Sequence, residues 1–192
     1  MDTQNKSRSD DELVQLAANG ENQAFEELVF RYKNALYQYL KALVQDEGAA
    51  GDLFQEVFLA LFNHAADFKA QGKVKSWLFL TARNKAFNFL RDHKALTSLD
   101  QQDEEGNEIW HETLPDDSLP PLEQLTSCET AQRIRECINA LPPAQRDVIY
   151  LRQYLSFKEI AQMLHKPLGT VLADGHRAIQ KVRNSLTQGE IL

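Results

Sequence analysis

Cysteine is almost absent from this chain, with two in 192 residues, Cys128 and Cys137. Nine residues along one helix span about 13 Å, too far for a disulfide, so the fold is expected to stand without a crosslink. Two unpaired thiols suit a reducing cytoplasm, where their plain reading is as small packing residues. The five histidines keep no CxxC or HxxxH company, so neither a metal site nor a cofactor is expected. No long apolar run occurs, and the N-terminus lacks the basic, apolar, then small pattern of an export signal. Membrane insertion is therefore not expected. Runs of β-branched residues are scarce, and no internal repeat stands out.

Basic residues are also missing, but only locally. Residues 96–130 hold no Lys or Arg against ten Asp and Glu. Residues 1–95 are nearly balanced, with 12 basic and 13 acidic side chains, and residues 131–192 carry nine basic against five acidic. The overall charge of −7 thus comes from one segment and says little against a polyanionic partner. Inside the first block, residues 69–94 carry Lys69, Lys73, Lys75, Arg83, Lys85, Arg91 and Lys94 against Asp92 alone. That is an electrostatic footprint for phosphate, although a solvated helix face has the same composition.

The change in composition near Ala95 divides the chain into residues 1–95, an acidic linker at 96–121, and residues 122–192. The fold class expected is all-α, two small helical domains joined by a flexible acidic tether. Ser9 and Glu12 form an S-x-x-E capping box that opens a helix through about Asn19. Asn22 is expected to cap a long helix with Phe25, Leu28, Val29, Tyr32, Leu36, Tyr39, Leu40 and Leu43 on its apolar face. A break at Asp46-Glu-Gly48 precedes a third helix from Ala50 to about Ala65, and a fourth runs from Val74 to Lys94. Trp77 is expected in the core, holding that fourth helix down. Residues 96–121, punctuated by Pro, read as the linker.

The end of the chain carries a different signal. Ser156 and Glu159 make a second capping box, and Ile160, Met163 and Leu164 repeat at helical spacing beside the small Ala161. Pro167 and Gly169 break that helix and start another, whose apolar stripe is Val171, Ala178, Ile179, Val182 and Leu186. Arg177, Lys181 and Arg183 follow. Two helices around a tight turn, with a small residue at the crossing and a basic tail, read as a helix-turn-helix, whose second helix enters the major groove.

Several spaced motifs then resemble one family. Asp11-Glu-Leu-Val14, Ala24-Phe-Glu-Glu-Leu28 and Arg31-Tyr32 resemble the opening of the extracytoplasmic-function (ECF) sigma factors. Asp52-Leu-Phe-Gln-Glu-Val-Phe58 resembles that family's D-x-x-Q-E-x-F helix, and Ser76-Trp-Leu-Phe-Leu-Thr-Ala-Arg-Asn84 with Leu90-Arg91 its W-L-x-x-I-A-R-N segment. Leu141-Pro-Pro-Ala-Gln-Arg146 and Pro167-Leu-Gly-Thr-Val171 resemble the start of its C-terminal domain and its recognition helix. The resemblance covers almost the whole chain.

What the resemblance implies is a promoter-directing subunit in the cytoplasm. It has no catalysis of its own, and its partners are core RNA polymerase, promoter DNA and an anti-sigma factor. Core polymerase would meet Asp52, Gln55, Glu56 and Phe58, a polar patch with an aromatic anchor. Minus-ten DNA would meet Lys69, Lys73, Lys75, Arg83, Asn84, Asn88 and Arg91, the amides suited to base edges and the cations to phosphate. Minus-thirty-five DNA would meet Arg152, Lys158, Gly169, Thr170, Leu172, Ala173, His176, Arg177 and Lys181. The acidic linker would thread channels built to hold nucleic acid.

The recognition helix departs from the pattern. The family carries a basic residue, Ser, Arg and an aliphatic where this chain has Leu172, Ala173, Asp174 and Gly175. Leu172 offers only apolar contact, an acid near phosphates costs affinity, and Gly175 leaves the core stripe without a side chain. Two other readings therefore remain open: a helix-turn-helix regulator that docks on polymerase without melting DNA, and a degenerate sigma-like protein that sequesters polymerase or an anti-sigma partner.

Overall fold

The computed structural model describes residues 8–68, 72–95 and 128–188. Among the described residues every regular element is a helix and there is no strand, as an all-α reading requires. The chain divides into two compact units, Met1–Asp100 and Gln101–Leu192. The expected linker, 96–121, lies outside the described residues.

The first unit holds α1 (Asp10–Ala18), α2 (Asn22–Val44), α3 (Glu47–His64), a 3-10 turn (Ala65–Asp67) and α4 (Val74–Ala95). The capping box before α1 is formed: Glu12 N–H donates to Ser9 Oγ at 3.3 Å, and Ser9 N–H donates back to Glu12 Oε2 at 2.7 Å. Two expected boundaries move. Asn22 is the first residue of α2 rather than its cap, and Glu21 holds the cap position without a side-chain bond. The Glu21 carboxylate instead accepts from Arg8 at 2.6 Å. Helix α3 begins at Glu47, three residues before the expected start, because the Asp46 carboxylate caps it by accepting from Ala49 N–H at 2.8 Å. With that donor satisfied, Gly48 sits inside the first turn instead of breaking it.

Helix α2 is the spine. Its stripe of Leu28, Tyr32, Leu36, Tyr39, Leu40 and Leu43 is buried, against α1 and α3 and against α4. The Tyr39 and Phe79 rings meet edge to face at 5.3 Å and join α2 to α4. Each such fully buried aliphatic or aromatic contributes about 1.5–3 kcal/mol. Helix α1 is pinned by polar contacts as well. Asp10 accepts from both the Tyr32 hydroxyl and the Arg31 guanidinium. Burial, and then the bond to Asp10, raise the Tyr32 hydroxyl above its ordinary titration range.

The second unit holds α5 (Cys128–Asn139), α6 (Pro143–Arg152), α7 (Phe157–Leu164) and α8 (Leu168–Gln188). Asn139 ties α5 to α6 through its carbonyl, which accepts from Arg146 at 3.1 Å, and its side chain, which accepts from Tyr150 Oη at 3.1 Å. The second capping box is formed like the first, with Ser156 N–H to Glu159 Oε2 at 2.7 Å. His165 ends α7 in the left-handed region, φ 53°. It turns the chain into α8, whose Val171, Ala178 and Val182 face inward.

Gly175 does not leave the gap expected from its place on that stripe. A Cβ there would stand 2.8 Å and 3.1 Å from the ring edge of Phe157 and 3.5 Å from Val148 Cγ1. The Phe157 ring occupies the room an aliphatic would have used, and its own outer face carries the Arg152 guanidinium at 5.0 Å. We therefore expect Gly175→Leu to overpack and lower stability by about 1–3 kcal/mol. Gly175→Ala should cost less, because the ring edge can yield. Urea denaturation of the full chain, followed by helical circular dichroism, checks both. A stabilised Gly175→Leu variant would show that the room is open.

Candidate functional site

Three exposed surfaces collect the candidate residues. The first is the outward stripe of α3. Asp52, Gln55 and Glu56 are exposed along it. Phe58 is not: it is 5% exposed, its ring edge-on to Phe25 at 6.2 Å and tilted against Phe54 at 5.0 Å. An aromatic so placed packs α3 against α2, so Phe58 lies in the core and not on the exposed stripe with the other three. Leu59 and Phe62 stand on the outer stripe instead, 60% and 54% exposed. The spacing of 52, 55, 56, 59 and 62 follows one helix face. An acidic and amide half thus leads into an apolar half, the composition of a polar-rimmed interface with an apolar centre.

The second surface is α4. Asn84, Asn88 and Arg91 are exposed at helical spacing, and Lys73 is exposed just before the helix. Lys69 lies outside the described residues. Arg83 is half-buried, its guanidinium laid over the Phe87 ring at 4.5 Å. Lys75 is half-buried. Lys85, on the same helix, donates to Glu56 of α3 at 2.7 Å. That pair bridges the first two surfaces; being exposed, it adds at most about 1 kcal/mol. Trp77 is half-buried rather than in the core. It meets Phe68 edge to face at 6.1 Å and His64 at 6.3 Å, where α3 hands over to α4.

Asp11 belongs with this surface, which no local pattern signals. Its Oδ2 accepts the Gly72 N–H at 2.6 Å. Gly72 has φ +66°, which a residue with a Cβ adopts at a cost. Helix α1 therefore fixes the backbone two residues before α4 begins, across a separation of 61 residues that no local pattern reveals.

The third surface is α7 and α8. Lys158, Gly169, His176 and Lys181 are exposed, and Thr170, Leu172, Ala173 and Arg177 are half-buried. Arg152 lies half-buried over Phe157. Asp174 is half-buried on the flank of α8. Burial raises its carboxyl above the usual range, and Lys166 and Arg177 pull it part of the way back. At neutral pH the folded state thus carries a carboxylate it disfavours. Asp174→Asn should then be more stable than the parent at pH 7. The gain should fade as acid protonates Asp174 in both states.

Residues 28–96 match Sigma-70 region 2, and residues 131–182 match Sigma-70, region 4. Among curated relatives, the ECF RNA polymerase sigma factor SigW of Bacillus subtilis is 29% identical over 177 residues, 90% of this chain and 94% of that one. The chain belongs to the ECF sigma factors. RNA polymerase sigma-H factor of Pseudomonas aeruginosa is 29% identical, over 92% of this chain and 93% of the relative. The solved structure of CnrH in complex with the cytosolic domain of CnrY shares the fold, with TM-score 0.69 and 23% identity over 94% of this chain and 99% of that one. So does that of the sigma factor RpoE in complex with the anti-sigma factor NepR from Bartonella quintana, with TM-score 0.62 and 19% identity over 85% and 96%. In this sigma factor, α3 and α4 fall in region 2, and α6, α7 and the first fifteen residues of α8 fall in region 4.

The link through Asp11 can be read directly. Asp11→Ala leaves the Gly72 N–H without its acceptor, whereas Asp11→Asn keeps one. Amide exchange at Gly72 should be faster in the alanine variant and close to wild type in the asparagine variant. Equal exchange in all three proteins would mean that the bond does not hold this backbone.

Proposed function

We infer that this chain is a promoter-specificity subunit. It binds core RNA polymerase through the outer stripe of α3, opens promoter DNA with α4, and grips upstream DNA with α8. The carrying observation is the order of the three surfaces on regions 2 and 4. A partner-sized polar and apolar stripe precedes an amide and cation face, and a helix-turn-helix follows in a separate unit. On this reading the protein acts by binding, in the cytoplasm where polymerase works. Among the described residues no helix is long and apolar enough to cross a membrane. An anti-sigma protein is a further partner on this reading, as the RpoE complex shows for that relative.

On the α3 stripe, Asp52, Gln55 and Glu56 supply the polar part of the polymerase contact, and Leu59 and Phe62 supply the apolar centre. On α4, Asn84 and Asn88 read minus-ten base edges, while Lys73 and Arg91 meet the backbone. The acidic segment 96–121 serves as the tether between the two units.

Run-off transcription with purified core polymerase on genomic fragments tests the whole reading. Discrete starts that depend on this protein support it. Core binding without any start supports a sequestering protein instead.

Two sets of variants separate the surfaces. Leu59→Ser with Phe62→Ser should weaken co-purification with core polymerase at least tenfold and leave helicity intact. Phe58→Ala should instead cost about 3–5 kcal/mol of stability, because it opens a cavity between α2 and α3. Asn84→Ala with Asn88→Ala should change the preferred minus-ten base, whereas substituting Lys73 and Arg91 should weaken opening on every promoter and flatten its salt dependence. Uniform loss from the asparagine changes would remove them as readers.

A further inference from the structure

The first two turns of α8 carry an uncharged tip. Leu168 is 44% exposed. A Cβ on Gly169 would meet nothing within 4 Å. Leu172 and Ala173 are half-exposed, and His176 is exposed. Leu168, Leu172 and His176 lie at steps of four on one row of the helix and Gly169 and Ala173 on the next, so the five form a band about 140° wide. That face is turned away from Val171, Ala178 and Val182, which are buried. The acid is not on it: Asp174 sits on the flank, within the fields of Lys166 and Arg177. Lys158, Lys166 and Lys181 are exposed on α7, on the turn and further along α8. Among the described residues, the tip is thus an apolar face with cations around it.

An exposed leucine next to cations fits the major groove better than it fits a protein surface. The cations match phosphate, and the groove floor offers one apolar group, the 5-methyl of thymine. Alanine and similar small apolar side chains contact that methyl, and Gly169 lets the backbone of the first turn come close to the base edges.

We propose that α8 reads its upstream element through thymine methyl groups, contacted by Leu172 and Ala173 with Leu168 at the edge. Hydrogen bonds from basic side chains at these positions play no part. The proposal rests on the reading of α6–α8 as the DNA-binding unit and names the base chemistry of that site. The surrounding cations then supply sequence-independent affinity, and the methyl contacts supply selection.

The test uses protein in complex with core RNA polymerase, and its main arm needs only the wild type. Selection from promoter fragments randomised over the upstream element should enrich T·A pairs at two or three neighbouring positions. Replacing each selected thymine with deoxyuridine removes only the methyl and should weaken holoenzyme binding about three- to fourfold per site. Deoxyuridine at positions outside the element should have no effect. Leu172→Ala should abolish the penalty at one position while keeping it at the others. If the upstream element is protected from cleavage but deoxyuridine changes nothing, the methyl proposal is overturned and the DNA-binding unit stands. If no upstream protection appears on any promoter that the holoenzyme transcribes, both the proposal and the reading beneath it fall.

Discussion

Every helix in the first unit depends on one constraint: α2 has a single apolar face, and three helices must share it. The buried row from Leu28 to Leu43 is long enough for α1 near its start, α4 near its end and α3 alongside. The edge-to-face meeting of Tyr39 and Phe79 fixes α4 by its inner side. Among the described residues, the faces left over on α3 and α4 are exposed for a partner. Function here is a by-product of which residues the core did not need. Phe58 shows the rule from the inside. It stands at the aromatic position of the D-x-x-Q-E-x-F motif, yet the core uses it, and the apolar side chains left exposed on the neighbouring stripe are Leu59 and Phe62.

What could be read in the sequence follows from the range of each interaction. Both S-x-x-E boxes span three residues, so their bonds are fixed by helix geometry and were legible at once. The amphipathic stripe of α2 is likewise a local periodicity. Asp46 was legible as a break but not as a cap, because its carboxylate had to be seen reaching Ala49 before Gly48 could be placed inside the helix. Contacts between distant elements left no trace. The Glu56–Lys85 pair is 29 residues apart, and the Asp11–Gly72 bond 61. Neither pairing is signalled by the local pattern around its two residues. In the candidate site, the shared face of Asn84, Asn88 and Arg91 is a local helical spacing and is legible, whereas the support that Asp11 gives Gly72 is not.

The two departures on the inner and outer sides of α8 have different physical standing. On the inner side, a glycine in place of an aliphatic would leave a void if nothing else changed, and a void costs stability in proportion to its volume. No such void exists, since the Phe157 ring fills the place up to 2.8 Å from where a Cβ would be. The ring is held there in turn by the start of α7 and by the Arg152 guanidinium over its face. A small residue on one helix and a large ring on the other interlock as a pair.

On the outer side the residues have no such partner. Leu168 remains exposed, and nothing among the described residues of the second unit explains why an apolar side chain should stand at the tip of a helix rimmed by lysines. The inner side of α8 is tightly fitted at Gly175, so the helix presents its outer face from a fixed position. Asp174 lies between the two faces, half-buried and disfavoured as a carboxylate, where it keeps a negative charge off the tip and within reach of Lys166 and Arg177.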